Sequence, residues 1–273
     1  MPSFGAPWFA PLAPLLAALG PLASAGDWTA CLARLNQIAA DREIVNGQGR
    51  AVRFIESSLA RPIPYESHIW LSGEVPTRTG DGAWHDFFNA LMWLSLPRTK
   101  AQLNALQAAA IERDGVGARR GPLRDAATLF DENAALVIVA PGPWVAAWRA
   151  RDWQGLFVTH RKAFARHWLP VLFGHALLDK LRSPYKSVCA HAWLVDDPSL
   201  LAVRPGEEIP FGPAWLQRLD TVVARTLVEP GFRRDAFLPL PVLGLPGWWP
   251  ANDDPNFYDD RAVFRPLPAA SPS

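Results

Sequence analysis

The sequence predicts a single α+β domain, mostly helical, with a small antiparallel sheet and an extended Pro/Trp-rich C-terminal segment. Three observations lead there. Apolar residues recur at helical spacing in several stretches, Trp28, Cys31, Leu32, Leu35 and Ile38 being the first. Short apolar runs such as Ala135-Leu136-Val137-Ile138-Val139 fall irregularly among these stretches rather than alternating with them. The chain also carries 27 prolines in 273 residues, which break helices and cluster after residue 229. With 49% hydrophobic and 19% charged residues, it has the material for a sizeable core.

Taken in order, the first 26 residues hold no charged side chain. Leu12 to Leu19 followed by Ala23-Ser24-Ala25 imitates a signal peptide. No Lys or Arg precedes the apolar run, and Pro7, Pro11, Pro14 and Pro21 count against a membrane span, so a buried, kinked segment is expected. Asp27 N-caps an amphipathic helix over 27–42. Residues 52–74, interrupted by Pro62 and Pro64, read as a strand with irregular extended chain, and 75–78 opens a loop. A helix over 85–96 stops at Pro97, which suits the first turn of the next, running to about Arg113. Gly115, Gly117, Gly121 and Pro122 make 114–123 a loop. A hairpin is expected near 127–139, turning at Asp131-Glu132-Asn133-Ala134. Helical stretches broken near Gly155 and Pro170 follow from Trp144 to about Arg182. A strand over 187–195 and a helix over 213–229 complete the body. Residues 1–229 thus form one domain, and 230–273, with Trp248, Trp249, Phe257, Tyr258 and Phe264 beside nine prolines, form a segment expected to wrap it.

A formal charge of +1 removes the global case for a polyanion binder. The only local basic features are the loop at 113–124 and His160-Arg161-Lys162 with Arg166 and His167, which read as solvated surface, so no nucleic-acid partner is expected. Cys31 and Cys189 match no disulfide or zinc spacing and read as small buried hydrophobes in a cytoplasmic protein.

The chemistry concentrates in a few places. His85 and Asn89 share one helical row, and Lys100, Asn104 and Gln107 share another. Arg119, Arg120, Arg124, Asp131 and Glu132 crowd the next loop and hairpin, a density suited to anion recognition and proton transfer. His175 interrupts an otherwise apolar helix that ends in Asp179-Lys180. The expected catalytic residues are His85, His175, Asp131 and Glu132, with the histidines as acid and base and a carboxylate orienting an imidazole or holding a divalent metal ion. Arg78, Arg120, Arg124, Lys100 and Lys180 are expected to meet a small anionic ligand that Asn89 and Asn104 orient. Hydrolysis is the expected reaction. Two other readings stay open: a binding pocket without bond chemistry, and a buried polar network that only fixes packing. The His85-Asp86 pair with His68 upstream also resembles part of the HD phosphohydrolase metal site, although a Gly-rich loop precedes it here.

Several longer motifs point to one family. They are Val75-Pro76-Thr77-Arg78, the run His85 to Trp93, Lys100 with Asn104 and Gln107, the run Arg124 to Asn133, the run Phe173 to Lys180, and Leu243 to Trp249. Together they resemble the bacterial domain of unknown function 3025 over nearly the whole chain. The resemblance implies no activity, but it implies that the N-terminal segment belongs to the domain. Ala134 stands where the family leads one to expect a turn glycine, and Asp179 where it leads one to expect glutamate.

Overall fold

The computed structural model describes residues 4–115, 121–201, 211–228 and 230–267. A 3-10 turn over Pro7–Leu12 runs into helix α1 (Ala13–Ser24), whose Leu15, Leu16 and Leu19 are buried. Pro7–Ser24 is apolar and long enough to cross a membrane by length and composition, and half of it is buried in the fold. Helix α2 (Trp28–Asp41) starts as expected, with the Asp27 carboxylate accepting from Ala30 N–H.

The next stretch departs from expectation. Strand β1 covers only Arg53–Glu56, and Pro64 ends the extended chain so that Tyr65–Ser72 forms helix α3. Gly73 closes α3 at φ 78°, where a side chain would collide with the Ala51 carbonyl oxygen. Glu74–Thr77 is strand β2, not a loop, and pairs in parallel with β1. Helices α4 (Ala83–Ser95) and α5 (Pro97–Asp114) meet at Pro97, as its missing N–H predicts. The side chain that caps α5 comes from far along the chain: the Asp220 carboxylate accepts from Arg98 N–H at 2.9 Å and Thr99 N–H at 2.8 Å.

The hairpin near 127–139 is replaced by a helix and a strand. Pro122–Asn133 is helix α6, in which Ala126, Ala127 and Phe130 turn one face inward. Ala134–Val139 is strand β3, and Ala134 is its first, fully buried residue, with no turn for a glycine to serve. Helix α7 (Trp144–Arg149), a π-turn over Gly155–Thr159 and helix α8 (Arg161–His167) follow. Pro170 then lies inside strand β4 (Trp168–Leu172) instead of breaking a helix. It is tolerated because β4 is an edge strand. After helix α9 (His175–Lys180) come strand β5 (Cys189–Val195), helix α10 (Pro213–Thr226) and strand β6 (Leu238–Pro241).

The main sheet has the order β4-β3-β5-β6 and is mixed. Its β3/β4 and β5/β6 pairs are antiparallel, as expected of a small sheet, whereas β3 and β5 run parallel. The chain past residue 229 contributes β6 and then folds along the body. Trp153 Nε1 donates to the Arg265 carbonyl, and Trp248 packs on Trp8 with ring centroids 6.3 Å apart. Arg161, expected as part of a solvated basic face, is instead spent on this segment through Asn252, Asp253 and Tyr258. Both cysteines are free, but only Cys31 is buried; Cys189 is exposed at the start of β5.

Candidate functional site

Pairing in the sheet assembles the site. The antiparallel β3/β4 ladder brings the start of β3, and so the last turn of α6, beside the end of β4 and the start of α9. The Ala134 carbonyl accepts from both Phe173 N–H (3.0 Å) and Gly174 N–H (2.9 Å), which clamps that junction. Gly174 is required there because a Cβ would sit 2.5 Å from backbone atoms of Glu132 and Asn133. Glu132 and His175 are thereby held side by side.

Helix α4 packs against α9 and adds His85. Its Nε2 lies 3.1 Å from Nε2 of His175, with the ring planes at 76°. Glu132 Oε2 is 3.6 Å from the same His175 nitrogen, and Asp131 Oδ2 is 3.9 Å from Nδ1 on the other side of the ring. The His175 side chain is 6% exposed, and no side chain among the described residues lies within hydrogen-bond distance of Nδ1. Donor atoms of His85, Glu132 and His175 lie within 4.8 Å of one another, a group among the described residues that could hold a metal ion.

Behind this front a chain of hydrogen bonds runs from the buried Lys100 and Asn89 out to the exposed Tyr65. Lys100, on α5, donates from Nζ to Asp131 Oδ1 at 2.5 Å and to Asn89 Oδ1 at 2.7 Å. Asn89 donates in turn to the Tyr65 hydroxyl at 2.8 Å. The phenolic proton of Tyr65 has no acceptor among the described residues. At the rim, Asp86 accepts from Arg78 through the backbone N–H, Nε and Nη2, all within 2.8 Å.

Burial governs the protonation states. It drives His175 down to about 4, Asp131 opposing and Lys100 and His85 reinforcing, so the ring is neutral near pH 7. Burial pushes Glu132 up. Asp131 is pushed up by burial as well, but the Lys100 ammonium and His175 outweigh this and hold it below the usual carboxylate range. Burial, with Asp86 and Asp131 nearby, also raises the Tyr65 phenol.

These groups line a cavity of about 410 Å³, with Arg78, His85, Asn89, Asp131, Glu132 and His175 in its wall together with Tyr65, Glu66, Gln107 and Thr128. A larger groove, about 930 Å³, runs beside α5 and α10. Its titratable lining groups are Arg42, Glu43, Arg98 and Asp220; Arg42 is bound to the Leu94 carbonyl and Asp220 caps α5, so it offers no facing acid and base.

Of the described residues expected to meet an anion, Arg78 and Asn89 line the smaller cavity and the others do not. Lys100 is 4% exposed and faces Asp131 and Asn89, so it is not available to a ligand. Asn104 donates to the Glu66 carbonyl at 2.8 Å, outside the cavity wall. Arg124 is buried on α6 with Nε unpartnered and likewise stays out of the wall. Lys180 is exposed at the end of α9, also away from it, and Arg120 lies outside the described residues. His68 is buried between Arg61 and Glu74 and takes no part, so the HD-type arrangement does not form. Sequence reasoning missed Tyr65 and Glu66. Their signal was Pro64 followed by an acidic first turn, which marks a helix start.

Fold and site together define an α+β protein with a histidine and carboxylate pocket lined by residues of α3, α4, α5, α6 and α9. The chain belongs to the family described as "Protein of unknown function (DUF3025)", which matches residues 52–267 and so leaves the N-terminal segment outside the match. Comparisons with curated proteins and with solved structures give no match.

Proposed function

We infer that this pocket is a hydrolytic site for a substrate bearing a phosphate or carboxylate group. The observation that carries this reading is the facing His85 and His175 pair, 3.1 Å apart, with Asp131 and Glu132 within 4 Å of His175. A neutral imidazole near pH 7 has a lone pair to accept a proton from water, but burial makes His175 a weak base, so this role depends on Asp131 stabilising the imidazolium; its partner His85 can return the proton to a leaving group. Asp131 lies on the Nδ1 side of His175, where a carboxylate orients the ring and stabilises the imidazolium formed on proton uptake. Arg78, 46% exposed at the rim, keeps N–H donors beyond those given to Asp86 and suits the anionic group. The Tyr65 hydroxyl suits a developing oxyanion. Lys100 and Asn89 support this arrangement from behind as a buried structural network. Two unpaired cysteines fit a reducing, cytoplasmic setting.

The test is turnover of a panel of phosphomonoesters, carboxylic esters and amides by wild type, His175→Gln and Arg78→Met. Loss of acid–base catalysis should lower kcat by about 10²–10⁴-fold in His175→Gln. Arg78→Met should act mainly on KM. Turnover that His175→Gln retains in full, or its absence across the panel, would defeat the proposal.

A further inference from the structure

The pocket holds more negative charge than its own cations neutralise. Glu66, Asp86, Asp131 and Glu132 stand against Arg78 and Lys100, and both cations are already paired, with Asp86 and Asp131. An anionic substrate would meet this surplus unless another positive charge were bound.

The donor atoms converge where that charge would sit. A hydrogen bond between two imidazole Nε2 atoms uses one proton, and Glu132 at 3.6 Å lies beyond hydrogen-bond reach of the same nitrogen. Bond lengths of about 2.0–2.2 Å place two donors of one ion about 2.9 Å apart at a right angle and about 3.4 Å apart at a tetrahedral angle. The observed 3.1 Å falls inside that window, and Glu132, 3.6 Å from His175 and within 4.8 Å of the His85 donor, has to swing inward, which a side chain that is 34% exposed is free to do. His175 Nδ1 is buried and faces Asp131, whose Oδ2 lies 3.9 Å away; a closer approach by this carboxylate would give the contact that fixes the tautomer of a metal-bound histidine. The cavity leaves space beside the three donors for a water or substrate oxygen.

We propose that His85 Nε2, His175 Nε2 and the Glu132 carboxylate bind one divalent first-row transition-metal ion, zinc(II) foremost, with Asp131 as the positioning group behind His175. Two imidazoles and one carboxylate with an open position is a donor set of catalytic zinc. The proposal rests on the hydrolytic reading of the same pocket but changes the part of the two imidazoles: with Nε2 of each holding the ion they are ligands, and an ion-bound water, not a free imidazole, supplies the nucleophile.

The experiment uses the full chain, stripped with chelator and titrated with Co²⁺ alone, followed by Zn²⁺ as competitor. Wild type should take up one equivalent of Co²⁺ with visible d–d absorption that Zn²⁺ displaces. Asp131→Asn should weaken affinity by about 10–100-fold, the range for groups that orient a ligand. His85→Gln and Glu132→Gln should weaken it at least as much. These two residues are only half-buried, and a circular-dichroism melt checks each variant for folding. His191→Gln, changed outside the pocket wall, should bind as wild type. No bound equivalent, or unaltered binding by folded His85→Gln and Glu132→Gln, would overturn the proposal. Metal binding without hydrolysis would defeat only the hydrolytic reading, whereas full hydrolysis by the stripped protein would defeat the metal proposal and leave hydrolysis standing.

Discussion

Replacing Lys100 by Met tests how tightly the candidate site is built into the fold. Lys100 is 4% exposed, its Nζ lies 2.5 Å from Asp131 Oδ1, and its ammonium sits 5.7 Å from the centre of the Trp93 ring. Met keeps much of the apolar stem, so the loss is chiefly electrostatic. Removing one partner of a buried ion pair costs about 3–5 kcal/mol, because the other charge stays desolvated. The Asp131 side chain is 17% exposed and retains some water, which puts the expectation near the lower end, about 3 kcal/mol. Adding Asp131→Asn removes the stranded charge and should recover about 2 kcal/mol, the sign of a coupled pair. Urea unfolding followed by tryptophan fluorescence, at pH 7 with chelator present, gives each value provided the slope is unchanged. The surface pair Arg53 and Glu74, with 65% and 25% exposure, provides the contrast, and its disruption should cost no more than about 1 kcal/mol. A loss under about 1 kcal/mol for Lys100→Met, or additivity in the double variant, would refute the view of this network as desolvated and coupled.

Other consequences reach further into the fold. Gly174→Ala should destabilise by about 1–3 kcal/mol, since its Cβ meets backbone atoms at 2.5 Å, while Gly231→Ala, with nothing within 4 Å, should stay within about 0.5 kcal/mol in the same unfolding assay. Burial holds the Asp220 carboxyl above its usual value, so its stabilising contribution is complete below the unfolded pKa and is lost as pH rises through the folded one. The stability of wild type relative to Asp220→Asn should therefore fall as pH is raised from about 3 to 7, and a rise would contradict the sign. Arg161→Ala should remove about 2 kcal/mol by severing the contacts to Asn252, Asp253 and Tyr258. It should also speed limited proteolysis after residue 230; an unchanged cleavage pattern would show that the wrap is held elsewhere.

Helix boundaries set by local chemistry were legible. Asp27 at the start of α2 and Pro97 between α4 and α5 act within one turn of chain, so the sequence alone reveals them. The run 127–139 was not, because Thr128-Leu129-Phe130 looks like strand when taken alone. In the fold, Pro122 starts a helix that buries Ala126, Ala127 and Phe130, and a helix carries Asp131 and Glu132 to its end where a hairpin would have turned. The same error has a functional side. A turn would have exposed these two carboxylates to water, whereas the last turn of α6 aims them at Lys100 and His175. The four residues nominated as catalytic do line one cavity, but which cations join them was not readable, because Lys100 and Arg124 are withdrawn by tertiary burial and Tyr65 arrives on a helix that two prolines disguised.

The site depends on the sheet more than on any of its helices. His85 lies on a helix with a long buried face, yet its partner His175 begins a helix of only six residues that has little stability of its own. What positions His175 is the β3/β4 ladder and the two amides that end it on the Ala134 carbonyl, one residue after α6 finishes. Distances from His175 to Glu132 and Asp131 are thus set by strand register, and a slip by one residue would exchange the side chains on the two buried faces of β3. Perturbing β4 at Leu169 or Val171, which are buried outside the cavity wall, should therefore disturb the histidine pair as directly as a change beside it, whereas trimming the exposed end of α9 at Lys180 should not.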